Sequence, residues 1–219
     1  MTPSENSLRG GIFEVEVDFA GGGNYKQQHV VVLSSLEYNL AYKQALVTDV
    51  TGVFLTDIDL GLLGPLLGEL DEESLRLLDA RFAGFLLSDY KNALSENPYS
   101  PGKMWRAPMA FSENRSVVSR RGVLLSSLDY VYAYNHVLFC PTYSIDGDPK
   151  YQKDGVEIPN EMETQAGLKQ ASYFRPKAKS LSIHNLTKEI GVMAPLIVNK
   201  IVSKIITSLA ISEKEINGP

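Results

Sequence analysis

The chain has 219 residues, of which 44% are hydrophobic and 21% charged, and its formal net charge is −5. This composition is typical of a soluble globular protein, and no apolar stretch is long enough to span a bilayer. A single cysteine, Cys140, excludes an intrachain disulfide framework and a cysteine-rich zinc site. Its apolar neighbours predict a buried, inert thiol.

The elements of the first half follow from hydrophobic patterning. Gly11–Phe19 alternates apolar and acidic residues, which predicts a half-buried strand. Further strands are predicted at HVVVLSS and QALVTDV, each of them largely apolar. An amphipathic helix is predicted over Asp71–Leu87, with Asp71 as its N-cap.

The second half repeats this order of elements. Strands are predicted at Lys103–Phe111, Gly122–Ser127 and His136–Cys140, and a closing helix at Ala194–Leu209. The polar start MTPSENSLRGG does not resemble a signal peptide, so we expect a cytoplasmic protein without a membrane partner.

A long internal repeat explains this order. VVLSSLEYNLAY at positions 31–42 recurs as VLLSSLDYVYAY at positions 123–134, with eight of twelve residues identical. The offset of 92 residues grows to 123 before the closing helix, so the second copy contains an insertion near 144–176. We therefore expect two copies of one small domain, at 1–92 and 103–219, joined by a linker at 93–102.

Charge and turn residues suggest where function lies. Residues 1–100 contain six basic and fifteen acidic residues, whereas residues 101–219 contain fifteen basic and eleven acidic ones. A site for an anionic ligand is thus expected in the second copy. The insertion is polar and rich in turn residues, so we expect it to be mobile, outside the core and close to Arg120.

Several short motifs occur in the same order in both copies. In the second copy they are Met104-Trp105, Arg120-Arg121, Val123–Ser126, Pro141, Ser144 and Ile190-Gly191. In the first copy they are Gly11-Ile12-Phe13, Val31–Ser34 and Gly68-Glu69-Leu70. Together they resemble the MazF/PemK/Kid toxin family of bacterial toxin–antitoxin systems, which shares its fold with the gyrase poison CcdB. The resemblance implies a mainly β protein with two SH3-like barrels in tandem, each closed by a C-terminal helix. Such a chain is a pseudo-dimer, which we expect to be monomeric in solution.

The resemblance also implies a function. Ribonuclease members of the family cleave RNA without a metal ion or cofactor, by attack of the ribose 2′-OH on the adjacent phosphorus. They are restrained by a small antitoxin protein. The residues implied as catalytic are Arg120, Arg121 and Thr142, and those implied as substrate-binding are Arg115, Tyr143, Ser144, Lys177 and Lys179. Arginine suits a phosphate because its guanidinium stays charged and matches the phosphate geometry.

Departures from the family pattern leave catalysis open. Tyr143 stands where the family has threonine, Ser182 where it has an acid, and Lys179 where it has arginine. In the first copy, Gln28-His29 replaces the arginine pair, so any site is single and lies mostly in the second copy. His29 could act as a base there, but we expect an ordinary residue at the start of a strand.

Two alternatives belong to other functional classes. One is a CcdB-like protein that binds DNA gyrase without cutting anything, although the polar C-terminal sequence ISEKEINGP counts against it. The other is a catalytically inactive binding module of the same fold. The three histidines are scattered and predict no metal site. The tyrosines repeated in both copies could stack on bases, but we expect a structural role at strand ends or where the copies meet.

Overall fold

Two antiparallel sheets carry most of the chain in the computed structural model, which describes residues 8–19, 23–87, 96–110, 117–145 and 154–209. The sheets have five and seven strands. The fold is therefore mainly β, as predicted. Within the described ranges, no helix has both the length and the apolar character needed to cross a bilayer.

The first sheet has the strand order β4-β3-β2-β1-β5. Its strands are β1 (Gly11–Val17), β2 (Lys26–Val32), β3 (Gln44–Asp49), β4 (Leu55–Asp59) and β5 (Leu66–Glu69). Helix α1 (Leu36–Tyr42) connects β2 to β3, a 3₁₀ turn (Leu60–Leu62) follows β4, and helix α2 (Glu72–Leu87) follows β5. Asp71 caps α2 as predicted, because its carboxylate accepts the Ser74 N–H at 2.8 Å.

The second sheet extends from β12 through β6, β7 and β8. Its strands are β6 (Lys103–Ala110), β7 (Val117–Leu124), β8 (His136–Ser144), β9 (Val156–Glu157), β10 (Ser172–Phe174), β11 (Lys179–Ser182) and β12 (Lys188–Val192). The first part of β8 pairs with β11 and its last residues pair with β10, which in turn pairs with β9. Its helices are α3 (Leu128–Tyr134), α4 (Asn160–Glu163) and α5 (Pro195–Ser208), and a 3₁₀ turn (Ile183–Asn185) follows β11.

The repeat in the sequence is also a repeat of backbone pairing. The order β5-β1-β2-β3-β4 in the first sheet matches β12-β6-β7-β8-β11 in the second. Phe13 lies opposite Val30 between β1 and β2, and Trp105 lies opposite Gly122 between β6 and β7. Both members of the second pair lie 92 positions after their counterparts, so the offset read from the sequence preserves strand register.

The sequence predicts neither α1 nor α3, although both belong to the most similar part of the repeat. Each begins at a serine whose Oγ accepts a backbone N–H three residues on: Ser35 caps α1 and Ser127 caps α3. Leu36 and Leu40 of α1 are exposed, whereas Tyr38 is buried. The hydrophobic pattern does not reveal these seven-residue helices, because most of their buried residues are tyrosines and the leucines of α1 are exposed.

The two N-caps allow a stability prediction. Ser35→Ala and Ser127→Ala are each expected to lower the free energy of unfolding by about 1 kcal/mol, because each removes one N-cap hydrogen bond. Urea unfolding of the two variants and the wild type measures both losses. A loss confined to one variant would show that the two caps are not equivalent.

One hydrophobic core is shared by the two halves. It contains Leu33, Leu46 and Phe82 from the first half and Leu125, Leu138 and Ile205 from the second. The repeated Tyr38 and Tyr130 lie in the same core, which confirms their predicted structural role. Each sheet also has a smaller core of its own, at positions that match by the repeat offset. These positions are Val15, Val32, Val47 and Ile58 in the first sheet and Ala107, Leu124, Phe139 and Leu181 in the second.

The end of each closing helix contacts the serine turn of the other half. The Ser35 N–H donates to the Ser208 carbonyl oxygen at 2.9 Å, and the Ser127 N–H donates to the Phe85 carbonyl oxygen at 3.0 Å. Both contacts obey the sequence offsets of 92 and 123. Each half therefore makes with the other the same contact that it receives, as expected for an approximate two-fold relation.

The predicted exclusion of the insertion from the core is wrong for its described part, residues 154–176. Val156, Ile158, Leu168 and Phe174 are all buried and belong to the shared core. The reason is that β10 pairs with the end of β8, so the insertion continues the sheet and covers apolar surface. Cys140 is fully buried, as predicted, and burial raises the pKa of its thiol above the ordinary value.

Candidate functional site

Antiparallel pairing of β7 with β8 positions the first two site residues. Gly122 lies opposite Pro141. Arg120 precedes Gly122 by two residues and Tyr143 follows Pro141 by two, so the pairing brings Arg120 beside Tyr143. The guanidinium carbon of Arg120 lies 5.8 Å from the centre of the Tyr143 ring.

Two further cations lie against the same ring. The Arg175 guanidinium carbon is 4.1 Å from the ring centre, and the Lys177 ammonium nitrogen is 5.8 Å from it. Both distances fall within the range of cation–π attraction. We call Arg120, Tyr143, Arg175 and Lys177 the Tyr143 cluster. Arg120, Tyr143 and Arg175 are partly exposed, whereas Lys177 is buried.

Lys177 connects the cluster to the first half of the chain. Its Nζ donates to Oδ2 of Asp57 on β4 at 2.8 Å, and both side chains are largely buried. Burial opposes ionisation of the Asp57 carboxyl, but Lys177 and Lys179 outweigh that effect and hold the pKa of Asp57 below its ordinary value. Burial likewise opposes the charge of Lys177, yet Asp57 holds the pKa of Lys177 above its ordinary value.

Lys179 is the second buried lysine that interacts with Asp57. Its side chain is buried, and it lines a cavity of about 380 Å³ together with Glu14, Glu16, Tyr25 and Asp57. Burial lowers the pKa of Lys179, although the carboxylates of Asp57 and Asp18 act in the opposite direction. The structure therefore places Lys179, implied as substrate-binding, at this cavity, whose Asp57 also pairs with Lys177 of the Tyr143 cluster.

The other predicted site residues that the structure describes lie in β7 and β8 and contact neighbouring strands. Thr142 is buried, and its Oγ1 donates to the Arg121 carbonyl oxygen at 3.1 Å. Arg121 is partly exposed and lies opposite Arg106 on β6. Ser144 pairs with Ser172 at the end of β8. Arg115 lies outside the described residues.

The described histidines lie elsewhere and form no metal site. Nδ1 of His136 lies 2.8 Å from the Tyr134 carbonyl oxygen. His29 is exposed, with Nε2 3.9 Å from a Glu14 carboxylate oxygen, and His184 lies in a 3₁₀ turn. Among the described residues, no three His, Cys, Asp or Glu side chains lie close enough together to hold a metal ion.

Two members of the site were not found by sequence reasoning. Arg175 lies in the insertion, which has no counterpart in the first half. Asp57 lies 120 positions before its partner Lys177. Neither residue belongs to a motif. For Arg175, the sequence offers only the excess of basic residues in the second half, which indicates an anion site without locating it.

Comparison with known proteins finds similarity at the level of structure. No family model matches the chain, and no curated protein matches it. Two structures of MazE–MazF from Deinococcus radiodurans, Form-III and Form-II, match with TM-scores of 0.41 at 14% and 16% sequence identity. An endoribonuclease in complex with its cognate antitoxin from Mycobacterial species matches with a TM-score of 0.40 at 13% identity.

These matches cover 52–54% of this chain and 96–99% of the other chains. Nearly the whole of each matched chain therefore aligns with about half of this chain. MazF is the family that the motifs of the sequence resemble.

Proposed function

We propose that this chain is a MazF-like toxin that binds RNA at the Tyr143 cluster and cleaves it without a metal ion. The observation that supports this function best is the convergence of three cations on one aromatic ring, at 4.1 to 5.8 Å. Arginine pairs well with phosphate oxygens, and an aromatic ring provides a stacking surface for an unpaired base. A cluster that combines both matches single-stranded RNA.

The proposed reaction is an intramolecular transesterification. The ribose 2′-oxygen bonds to the adjacent phosphorus while the bond from phosphorus to the 5′-oxygen breaks. The products are a 2′,3′-cyclic phosphate and a 5′-hydroxyl. Arg120 and Arg175 stabilise the negative charge that builds on the phosphoryl oxygens. In this proposal, solvent water takes the 2′-OH proton and supplies a proton to the leaving 5′-oxygen.

Asp57 has a positioning role in this proposal. It holds the buried ammonium of Lys177 next to Tyr143 through the 2.8 Å ion pair. The site therefore depends on both halves of the chain, although the second half supplies all the residues of the Tyr143 cluster. The first half has Gln28 at the position equivalent to Arg120 and forms no second cluster of this kind within the described residues.

A direct test is incubation of the purified protein with a long RNA in excess EDTA. We expect discrete fragments with 2′,3′-cyclic phosphate ends, and no cutting where the ribose at the scissile position is 2′-deoxy. Failure to bind RNA would refute the proposal. Binding without cleavage would instead favour the inactive binding module. The hydrogen bond that the Thr142 hydroxyl donates to the Arg121 carbonyl oxygen is compatible with that alternative. Inhibition of DNA gyrase would favour the CcdB-like alternative. The C-terminal segment of this chain that counts against that alternative, residues 210–219, lies outside the described residues.

The proposal extends to organisation, partner and location. We place the two domains at 1–92 and 103–219 with a linker at 93–102, and the protein in the cytoplasm. A small antitoxin protein is the proposed partner, because the similar MazF structures are complexes with MazE and the mycobacterial one is a complex with its antitoxin.

The oligomeric state should follow from the shared core. The two halves already satisfy each other through reciprocal contacts of Ser35 with Ser208 and Ser127 with Phe85. We therefore expect a monomer of 24.2 kDa at moderate concentration, measurable by light scattering coupled to size-exclusion chromatography. A stable dimer would show that the intrachain interface does not replace an intermolecular one.

A further inference from the structure

The two halves differ at one pair of equivalent positions where the closing helices end. Phe85 of α2 and Ser208 of α5 make the same backbone contact with the serine turn of the opposite half. Phe85 places its ring 4.7 Å from that of Tyr130 and 5.9 Å from that of Tyr134. At the equivalent place in the other half, Ser208 has no ring to offer to the matching tyrosines.

A cavity of about 580 Å³ lies where the missing ring would be. Tyr38, Ala41 and Tyr42 of α1 line it on one side, and Thr207 and Ser208 of α5 line it on the other. The rings of Tyr38 and Tyr42 lie 4.7 Å apart, much as those of Tyr130 and Tyr134 lie 5.2 Å apart under Phe85. The cavity thus has the aromatic floor of a site that accepts a phenyl ring elsewhere in the same molecule.

The charged residues that line this cavity are two carboxylates and one lysine. Glu37 and Asp154 both line it. The one lysine in the lining, Lys204, donates its ammonium protons to the carbonyl oxygens of Asp154 and Gly155, at 2.7 and 3.2 Å. Burial, with the charge of Asp154 next in importance, raises the pKa of Tyr42 to about 12, and Arg175 opposes this only in part. Because Glu37 and Asp154 outnumber Lys204 in the lining, the cavity favours a cationic ligand over a phosphate-bearing one.

We propose that the Tyr38–Tyr42 cavity binds an aromatic side chain of a partner protein segment in which basic residues flank the aromatic one. The partner's aromatic side chain is expected to occupy the place that the Phe85 ring occupies in the equivalent site. The carboxylates of Glu37 and Asp154 are expected to attract basic residues beside it in the partner segment. Aromatic side chains that fill such pockets commonly anchor protein interfaces. Tyr38 and Tyr42 interact electrostatically with Lys177 and Arg175 of the neighbouring Tyr143 cluster, but peptide binding in the cavity does not depend on RNA cleavage.

The test uses three synthetic peptides as probes, titrated into the full-length protein by isothermal calorimetry. They are acetyl-Lys-Phe-Lys-amide, acetyl-Lys-Ala-Lys-amide and acetyl-Glu-Phe-Glu-amide. We expect the first to bind with one site and at least about tenfold more tightly than either of the others, a difference of about 1.4 kcal/mol. Equal affinity of the alanine peptide would overturn the aromatic site, and equal affinity of the glutamate peptide would overturn the basic partner.

Matched variants locate the binding. Ser208→Phe should abolish binding, because it places in this half the ring that the other half already accommodates. Phe85→Ser should open a second cavity and raise the stoichiometry towards two. Glu37→Lys changes an exposed residue and should weaken binding of the lysine peptide by about tenfold even if the helix variants fold poorly. Binding that persists in both Ser208→Phe and Glu37→Lys would overturn the assignment.

Discussion

Replacing Arg175 by alanine is expected to lower the rate of RNA cleavage by about a hundredfold, because loss of one preorganised charge-stabilising group typically costs about 3 kcal/mol. Its guanidinium lies closest to the Tyr143 ring of the three cations in the cluster. The side chain is partly exposed, so its removal should leave the fold intact. Single-turnover cleavage of a fluorescent RNA in EDTA measures the rate, and circular dichroism checks the fold.

The repeat supplies a matched control for this experiment. Arg120→Ala should reduce cleavage in the same way, whereas Gln28→Ala, the equivalent change in the first half, should have little effect. Equal losses from Arg120→Ala and Gln28→Ala would imply a symmetric site built from both halves. Full activity of the Arg175→Ala and Arg120→Ala variants would remove the Tyr143 cluster from the reaction.

Replacing Asp57 by leucine is expected to destabilise the protein by about 3–5 kcal/mol, because it leaves the buried ammonium of Lys177 without its partner. Lys177→Met should lower the free energy of unfolding by less, because the Asp57 carboxylate would still be stabilised by the nearby charge of Lys179. The double variant should recover much of the loss, because well-packed apolar residues often replace a buried ion pair at little cost. Urea unfolding of the four proteins completes this double-mutant cycle. Additive losses would show that Asp57 and Lys177 do not interact.

The same ion pair should make stability depend on pH. The pKa of Asp57 is lower in the folded than in the unfolded protein, where carboxyls titrate near about 3.9. Its stabilisation is therefore present above that value and is lost as pH falls through the folded pKa. The pKa of Lys177 is raised, so its stabilisation is present below about 10.4 and is lost as pH rises through its folded pKa. The stability of the wild type relative to the double variant should thus be constant near neutral pH and fall in acid. A difference that does not change between neutral pH and acid well below about 3.9 would contradict this assignment.

The sequence by itself determined the repeat and most of its elements. Strand β1, helix α2 and helix α5 appear close to their predicted bounds because their hydrophobic periodicity is local. The offset between the halves also predicted which residues occupy equivalent places, and the reciprocal contacts that the structure shows for Ser35 and Ser127 follow the same offset. Helices α1 and α3 were missed because tyrosines, whose hydroxyls make them ambiguous in a pattern, form their buried faces.

Only the tertiary structure decided which charged residues meet. Asp57 and Lys177 lie 120 positions apart, and their pairing depends on how the two halves pack. Arg175 reaches Tyr143 because the insertion joins the sheet at the end of β8, a connection that its polar, turn-rich sequence did not indicate. The open cavity beside Ser208 likewise becomes visible only when its counterpart Phe85 is seen covering the equivalent tyrosines. Local patterns determine strands and helices, whereas contacts between distant residues depend on which faces are buried together.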